Sequence, residues 1–458
     1  MMKLWMDVMR DLEHVMDDYE RCFDAWQAGG VDGVVLGPMT FNASKLLPTL
    51  KRPKDVPPPV ETYDPDAKVY ERFGVTVPEK PEPMAQRRAL LEKMLGNAKD
   101  RGMTIMIFQP MSGMVAAPDG LYFQGRNLAD ESVRDATCAR MVDTFAHFPM
   151  ADGGIMDRPE WSYEIEPNFV VHPLFEDLPP QIEPLAARLG YDYGAMAAAK
   201  DRLEKTLHNL DARRVRLHAG GGLLDGFALL GSDPDLMAWF RFRVDAVTDY
   251  FKNVRQSMAS HLSRPIKLGV GPRTAAFALL SGCDFLALAQ FMDVLLPKHY
   301  FWQRGFDGLV GTVWRYARLL CEWNPGLSDR DGLSVVQNLF GLALPEVSTI
   351  ADLDTALTPQ FYEQIVTQET ARALAVVDDA DRIVPWVDAG RFPHDGDPMS
   401  PDDLKQALES SQRMGLKRFL YHHHGNLTAG EWSVMSEMCG QRWTPMPDGY
   451  QPPDRLEL

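Results

Sequence analysis

The chain has 458 residues, 45% hydrophobic and 24% charged, enough for one large core or two ordinary ones. A formal net charge of −17 with a pI near 5.1 repels phosphate backbones and anionic headgroups, and no basic run is interleaved with aromatics, which argues against nucleic acid and membrane surfaces as partners. The five cysteines are widely spread, form no Cys-x-x-Cys pair and read as buried reduced thiols; charge comes too early in Met1 to Asp7 for a secretory leader, and a cytoplasmic protein is expected.

In chain order, Lys3 to Asp7 reads as a short strand and Asp11 to Gln27 as an amphipathic helix stopped by Gly29 and Gly30. Val31 to Phe41 holds a second strand around Val34, Val35 and Leu36. From Asn42 to Pro83 the composition turns to proline and mixed charge, with Pro57, Pro58 and Pro59 in a row, which predicts a long ordered loop. Met84 to Arg101 is helical by pattern, Met103 to Pro110 is an apolar strand, Asp130 to His147 is a helix and Gly153 to Asp157 a fourth strand. The segment from Glu164 to Pro234 reads as an insertion with a helix over Tyr193 to Leu210. A long helix follows over Leu236 to His261.

Strands five to eight are expected at Pro265 to Val270, Met292 to Pro297, Arg382 to Val387 and Lys417 to Tyr421. Helices lie between them at Phe285 to Gln290, Gly308 to Cys321, Pro359 to Val377 and Pro401 to Met414, with a further insertion at about 324–358. Each strand is a short apolar run without period-two polarity, as for strands buried on both faces. Eight of them alternating with helices predict an α/β protein with a single (β/α)8 TIM barrel over 1–458 and long βα-loop insertions at about 42–83, 164–234 and 324–358. A doubly wound open sheet is the alternative, but no GxGxxG or P-loop turn is present.

A barrel assembles its chemistry at the C-terminal ends of its strands. Those ends deliver Asp7; Met39 to Asn42; Gln109; Asp157, Arg158 and Glu160; Arg273 and Thr274; Lys298, His299, Tyr300 and Trp302; Trp386 and Asp388; and His422, His423, His424 and Asn426. Carboxylates on opposite strands, flanking tryptophans and a ring of cationic groups suit glycoside hydrolysis, in which one carboxyl protonates the leaving oxygen while another attacks or orients water. Glu160 is the expected acid, with Asp388 or Asp157 as nucleophile or base. Asp7, Trp161, Glu164, Arg273, Lys298, His299, Tyr300, Trp302, Trp386, His422 and His424 are the expected substrate contacts. No cofactor or metal is expected, because consecutive strand residues face opposite ways and only His422 and His424 of the histidine run would share a side.

Three motifs stand in a recurring order: Trp239-Phe240-Arg241-Phe242-Arg243-Val244-Asp245, then Gly269-Val270-Gly271-Pro272, then Leu296-Pro297-Lys298-His299-Tyr300. With Ala151-Asp152-Gly153-Gly154-Ile155-Met156-Asp157, they make about a third of the chain resemble glycosyl-hydrolase-like (β/α)8 barrels related to the family-10-like group. Two departures are a doubled glycine at Gly153 and Gly154, and the position of Glu160 three residues beyond Asp157 across a proline. The resemblance implies action on a glycan or glycoside, with a carbohydrate as the partner; a homo-oligomer is compatible with it. Two other readings stay open: a lyase, isomerase or metal-dependent hydrolase using Lys298, His299 and the late histidines, and a sugar-binding barrel without catalysis.

Overall fold

The structure, a computed structural model, describes residues 1–9, 11–37, 39–41, 60–80, 85–109, 128–157, 159–166, 174–305, 307–391, 394 and 396–454. Its centre is a parallel sheet of strands β1 (Lys3–Asp7), β2 (Val31–Leu36), β3 (Thr104–Gln109), β4 (Gly153–Met156), β5 (Lys267–Val270), β6 (in two halves, Val294–Leu295 and Lys298–His299), β7 (Trp386–Val387) and β8 (Arg418–Tyr421). From β1 to β6 neighbours follow in sequence, and β1 also pairs with β8, Lys3 opposite Arg418.

The sheet closes through β6. Its first half pairs with β5, Val294 opposite Gly269, and its second half with β7, Lys298 opposite Trp386. Pro297 interrupts the strand because it has no N–H to give. Its carbonyl nevertheless accepts from Trp386, and the flanking amides of Leu296 and Lys298 bond to the carbonyls of Val270 and Pro272. The expected sixth strand, ended at Pro297, therefore continues to His299, and among the described residues each of the eight strands is paired on both sides.

Burial on both faces accounts for the missing polar alternation: Leu4, Met6, Val35, Ile105, Ile107, Ile155, Leu268, Leu295 and Leu420 are all inaccessible. The doubled glycine has a steric cause. A Cβ on Gly153 would lie 2.1 Å from the Lys267 carbonyl oxygen on β5, and one on Gly154 would lie 3.1 Å from the Phe145 ring. Glycine lets β4 sit tight against both its neighbouring strand and its covering helix.

Several elements differ from expectation. The first helix is two, Leu12–Asp17 and Tyr19–Ala28, broken at Asp18, whose φ and ψ of −141° and 29° are not helical. The stretch expected as one helix from Pro359 runs as Pro359–Phe361, a π turn over Tyr362–Val366, and Thr367–Leu374. The insertions carry more helix than the sequence suggests: Ala67–Phe73, Glu183–Leu189, Ala212–His218, Leu223–Leu230 and Asp329–Phe340, the last started by a reciprocal cap between Ser328 and Asp331. Beyond β8, Ala429–Cys439 forms one more helix. All five cysteines are free, and no helix of the described residues is long and apolar enough to cross a membrane.

Candidate active site

The charged side chains expected at strand ends gather at one rim in two adjoining groups. In the first, Lys298 stands at the start of the second half of β6, with Nζ 2.8 Å from Oδ1 of Asp157, the residue after β4. The same Nζ is 3.9 Å from Oδ2 of Asp307. Arg273, on the turn after β5, makes an ion contact with Asp307 through one Nη and with Glu160 through the other, 2.5 Å from its Oε1. The Tyr163 hydroxyl donates to Asp307 at 3.1 Å.

Burial by itself would push the Asp307 carboxyl up, but the charges of Arg273 and then Lys298 outweigh it and hold the group well below the ordinary carboxylate range. Asp307 is thus the hub that keeps both cations in place. Of the three carboxylates, Asp157 is the one that meets solvent, its side chain 17% exposed against 3% for Glu160 and Asp307.

The second group lies at the ends of β7 and β8. Asp388 Oδ1 accepts from the Gly390 amide at 2.7 Å. Its Oδ2 is 3.2 Å from Nδ1 of His394, yet the two are not aligned for a hydrogen bond, and both atoms are buried without another partner. His422 Nδ1 is 2.5 Å from Oδ2 of Asp7, whose other oxygen accepts from the Met9 amide at 2.6 Å. Because an ionised carboxylate can only accept, Nδ1 of His422 carries the hydrogen of this bond, and in the neutral ring the lone pair lies on Nε2. Asp388, His394 and His422 each offer a metal-ligand atom within 4.8 Å of the others.

Tyr300 ties the groups together. Its phenol is pushed far up by burial and then by the negative fields of Asp388, Asp157, Asp307 and Asp7, four carboxylates around one ring. Trp386 adjoins them but is buried: it stacks on Phe108 at 6.2 Å and on His422 at 5.6 Å, and Lys298 Nζ stands 5.8 Å from its ring centre. Gly271 keeps the gap beside it open, since a Cβ there would lie 3.3 Å from both Asp157 and Trp386.

Other expected substrate contacts lie elsewhere. After Pro159 the chain turns inward: the Trp161 amide bonds to the Ser281 carbonyl, its indole N–H donates to the Arg243 carbonyl, and its ring packs on Phe242. Glu164 is 1% exposed and receives Arg315 and Thr312, a structural ion pair. Trp302 is wholly buried, packed against the backbone at Gly308, Gly390 and Gly396. His299 points away from Lys298 into the protein, where burial lowers its pKa to about 3 and Nε2 has no hydrogen-bond partner.

His424 does not share the face of His422. The strand stops at Tyr421, a 3₁₀ turn over His424–Asn426 begins, and the His424 ring is held by Asp11 and the Tyr450 hydroxyl. His423 is wholly buried, and Gln109 is tied to Arg140. Arg158 and Asn42 lie outside the described residues. The sequence reading missed Asp307, His394 and Tyr163; a signal existed for two of them, in the loop motifs Gly305-Phe306-Asp307-Gly308 and Pro393-His394-Asp395-Gly396, each an acid or histidine pinned by glycine. An apolar cavity of about 940 Å³ lies apart from the rim, lined by Leu203, Leu207, Leu223, Leu230, Phe240 and Phe340.

No protein-family model matches the sequence, and no curated protein matches it either. Among solved structures, the chain is similar to the PgaB (BpsB) glycoside hydrolase domain from Bordetella bronchiseptica, at 12% identity and a TM-score of 0.49 over 95% of this chain and 99% of that one. It is similar also to a chitinase from Chromobacterium violaceum, at 9% identity and a TM-score of 0.42 over 97% and 100% of the two chains. The spore cortex-lytic enzyme SleL from Bacillus megaterium follows at 7% identity and a TM-score of 0.40, over 95% of this chain and 73% of that one. The likeness is to glycoside-hydrolase barrels broadly and not specifically to the family-10-like group, and at these identities and scores no function passes from those proteins to this one.

Proposed function

We propose that the chain hydrolyses a glycosidic bond in an oligosaccharide or glycoside at this rim. The observation that carries the reading is Asp157: a carboxylate at a strand end, reaching solvent, oriented by the Lys298 ammonium 2.8 Å away and adjoining the Trp386 ring. That is the layout of a group that attacks a sugar carbon or aligns water toward it. Asp388 is the second carboxylate around Tyr300. Glu160 fits the acid role less well, because it stands 2.5 Å from Arg273 in an ion pair that turning toward a substrate would break. Its part is to position Arg273, and through Asp307 the lysine.

The test is turnover of a panel of aryl glycosides and amino-sugar and neutral oligosaccharides, followed by reducing ends released. Asp157→Asn is expected to lose at least about a hundredfold in kcat with its circular dichroism unchanged. Cleavage at the wild-type rate in that variant, or tight calorimetric binding of an oligosaccharide never cleaved, removes the proposal.

A further inference from the structure

We propose that Asp388, His394 and His422 bind one divalent transition-metal ion, with zinc the reference case. The inference does not rest on the carbohydrate reading, which stands on Asp157. Three observations converge. First, one ligand atom from each residue lies within 4.8 Å of the others, in a buried place. Atoms bound tetrahedrally at about 2.0–2.2 Å from one zinc ion lie about 3.3–3.6 Å apart, so side-chain rotations that move the widest-set ligand atoms by about an ångström complete the set.

Second, Asp388 Oδ2 and His394 Nδ1 face each other at 3.2 Å without forming a hydrogen bond, and neither has another partner. Buried polar atoms are satisfied by protein, water or a bound ion, and a shared cation would satisfy both of these at once. Third, His422 is already arranged as a ligand. Its Nδ1–H is directed to Asp7, itself fixed by the Met9 amide, so the neutral ring has its lone pair on the other nitrogen and its orientation is fixed by that bond. A carboxylate behind a ligating histidine is the usual support of such sites.

Two imidazoles and one carboxylate select the class of ion. Hard cations such as magnesium and calcium take all-oxygen sets, and thiolate-preferring ions find no cysteine among these three residues. Three protein ligands leave a position for water or a substrate oxygen. The barrel supplies the rigidity: Asp388 and His422 directly follow paired strands, and the His394 ring is held between Tyr300 at 5.1 Å and Trp302 at 4.9 Å. With a cation present Asp388 is a ligand and not a proton donor, and the ion supplies the polarisation at that side of the rim.

The full chain, stripped with chelator and desalted, is titrated calorimetrically with zinc chloride, and its visible spectrum is recorded with cobalt(II). About one equivalent of zinc is expected to bind, with a cobalt spectrum that marks nitrogen and oxygen ligation. His394→Ala and His422→Ala should each weaken binding at least a hundredfold, and Asp7→Asn by about 10–100-fold. His208→Ala, a histidine stacked on Trp323 in another part of the chain, should bind as the wild type does. His394→Gln, on a loop, gives the same information if His422→Ala does not fold. Failure to bind near one equivalent, or equal binding by wild type and the His394 variants, overturns the proposal. Neither result alters what Asp157→Asn does to turnover, so the two proposals fail separately.

Discussion

Arg273→Met tests the physics of the rim without any substrate. Arg273 and Lys298 together face Asp157, Glu160 and Asp307, three carboxylates against two cations, and the arginine is 3% exposed. Removing it leaves three buried or half-buried acids to one ammonium. Breaking a buried pair from one side costs about 3–5 kcal/mol, because the orphaned charge stays desolvated. Set against a typical total of about 5–15 kcal/mol, that loss is severe but survivable.

The pH dependence gives a second check. In the wild type the Asp307 carboxyl is held below its ordinary value, so its contribution is fully present above about pH 4 and is lost only as pH falls through the depressed value. Without Arg273 most of that depression goes. The deficit of the variant is therefore largest near pH 7.5 and shrinks toward pH 4.5, where its orphaned acids take up protons. Urea unfolding followed by circular dichroism at the two pH values measures it. The double variant Arg273→Met with Asp307→Asn should recover at least about 1 kcal/mol, since one orphan is gone. A single-variant loss under about 1 kcal/mol, or the same loss at both pH values, refutes the argument that buried charge imbalance governs this cluster.

Three further predictions follow from particular contacts. Lys298→Met should cut kcat on any cleaved glycoside by about 10²-fold or more, because Asp157 loses its orienting partner; unaltered kcat would show that the lysine is structural only. Gly153→Ala should destabilise by about 1–3 kcal/mol or more, measured by urea midpoint, since its Cβ meets a backbone carbonyl that cannot rotate away, whereas Gly102→Ala, with open space but φ of 73°, should cost about 1 kcal/mol. For His299, burial lowers the imidazole from 6.5 to about 3, so its contribution to stability is present above pH 6.5 and is lost as pH falls toward 3. His299→Leu should show a flatter stability curve through that window, and an unchanged slope would mean that the ring finds water or a charge partner there.

Most of the barrel was legible because each strand is a short apolar run that ends at a turn former, and burial on both faces leaves nothing else for such runs to do. Strand-end logic likewise put Asp157, Asp388 and His422 at the rim, each one residue past a parallel strand, and Lys298 and Trp386 just inside it, in the last two residues of theirs. The failures have a common cause, namely that order along the chain stops predicting place once a strand has ended. Trp161 and Glu164 follow Asp157 by a few residues, yet the turn at Pro159 sends them toward Phe242 and Arg315. His424 was paired with His422 by an alternation that holds only while the backbone is extended, and the 3₁₀ turn ends it. Asp307 and His394 come from loops that return to the rim, and no periodicity reports such a return. Charge balance could have pointed to Asp307, because Arg273 and Lys298, once placed on neighbouring strands, require acids nearby.

The pairing of β1 with β8 bears on how the molecule is made. Lys3 and Arg418 stand opposite each other in the finished cylinder, so β1 waits for its second neighbour until β8, far along the chain, has left the ribosome. Through that interval the nascent sheet has two raw borders, and the groups at the ends of β1 and β8, Asp7 and His422 among them, are held apart. Assembly of the rim is thus a late event in biogenesis, and any fragment truncated before Arg418 should emerge sticky and inert however many of its other strands are in place.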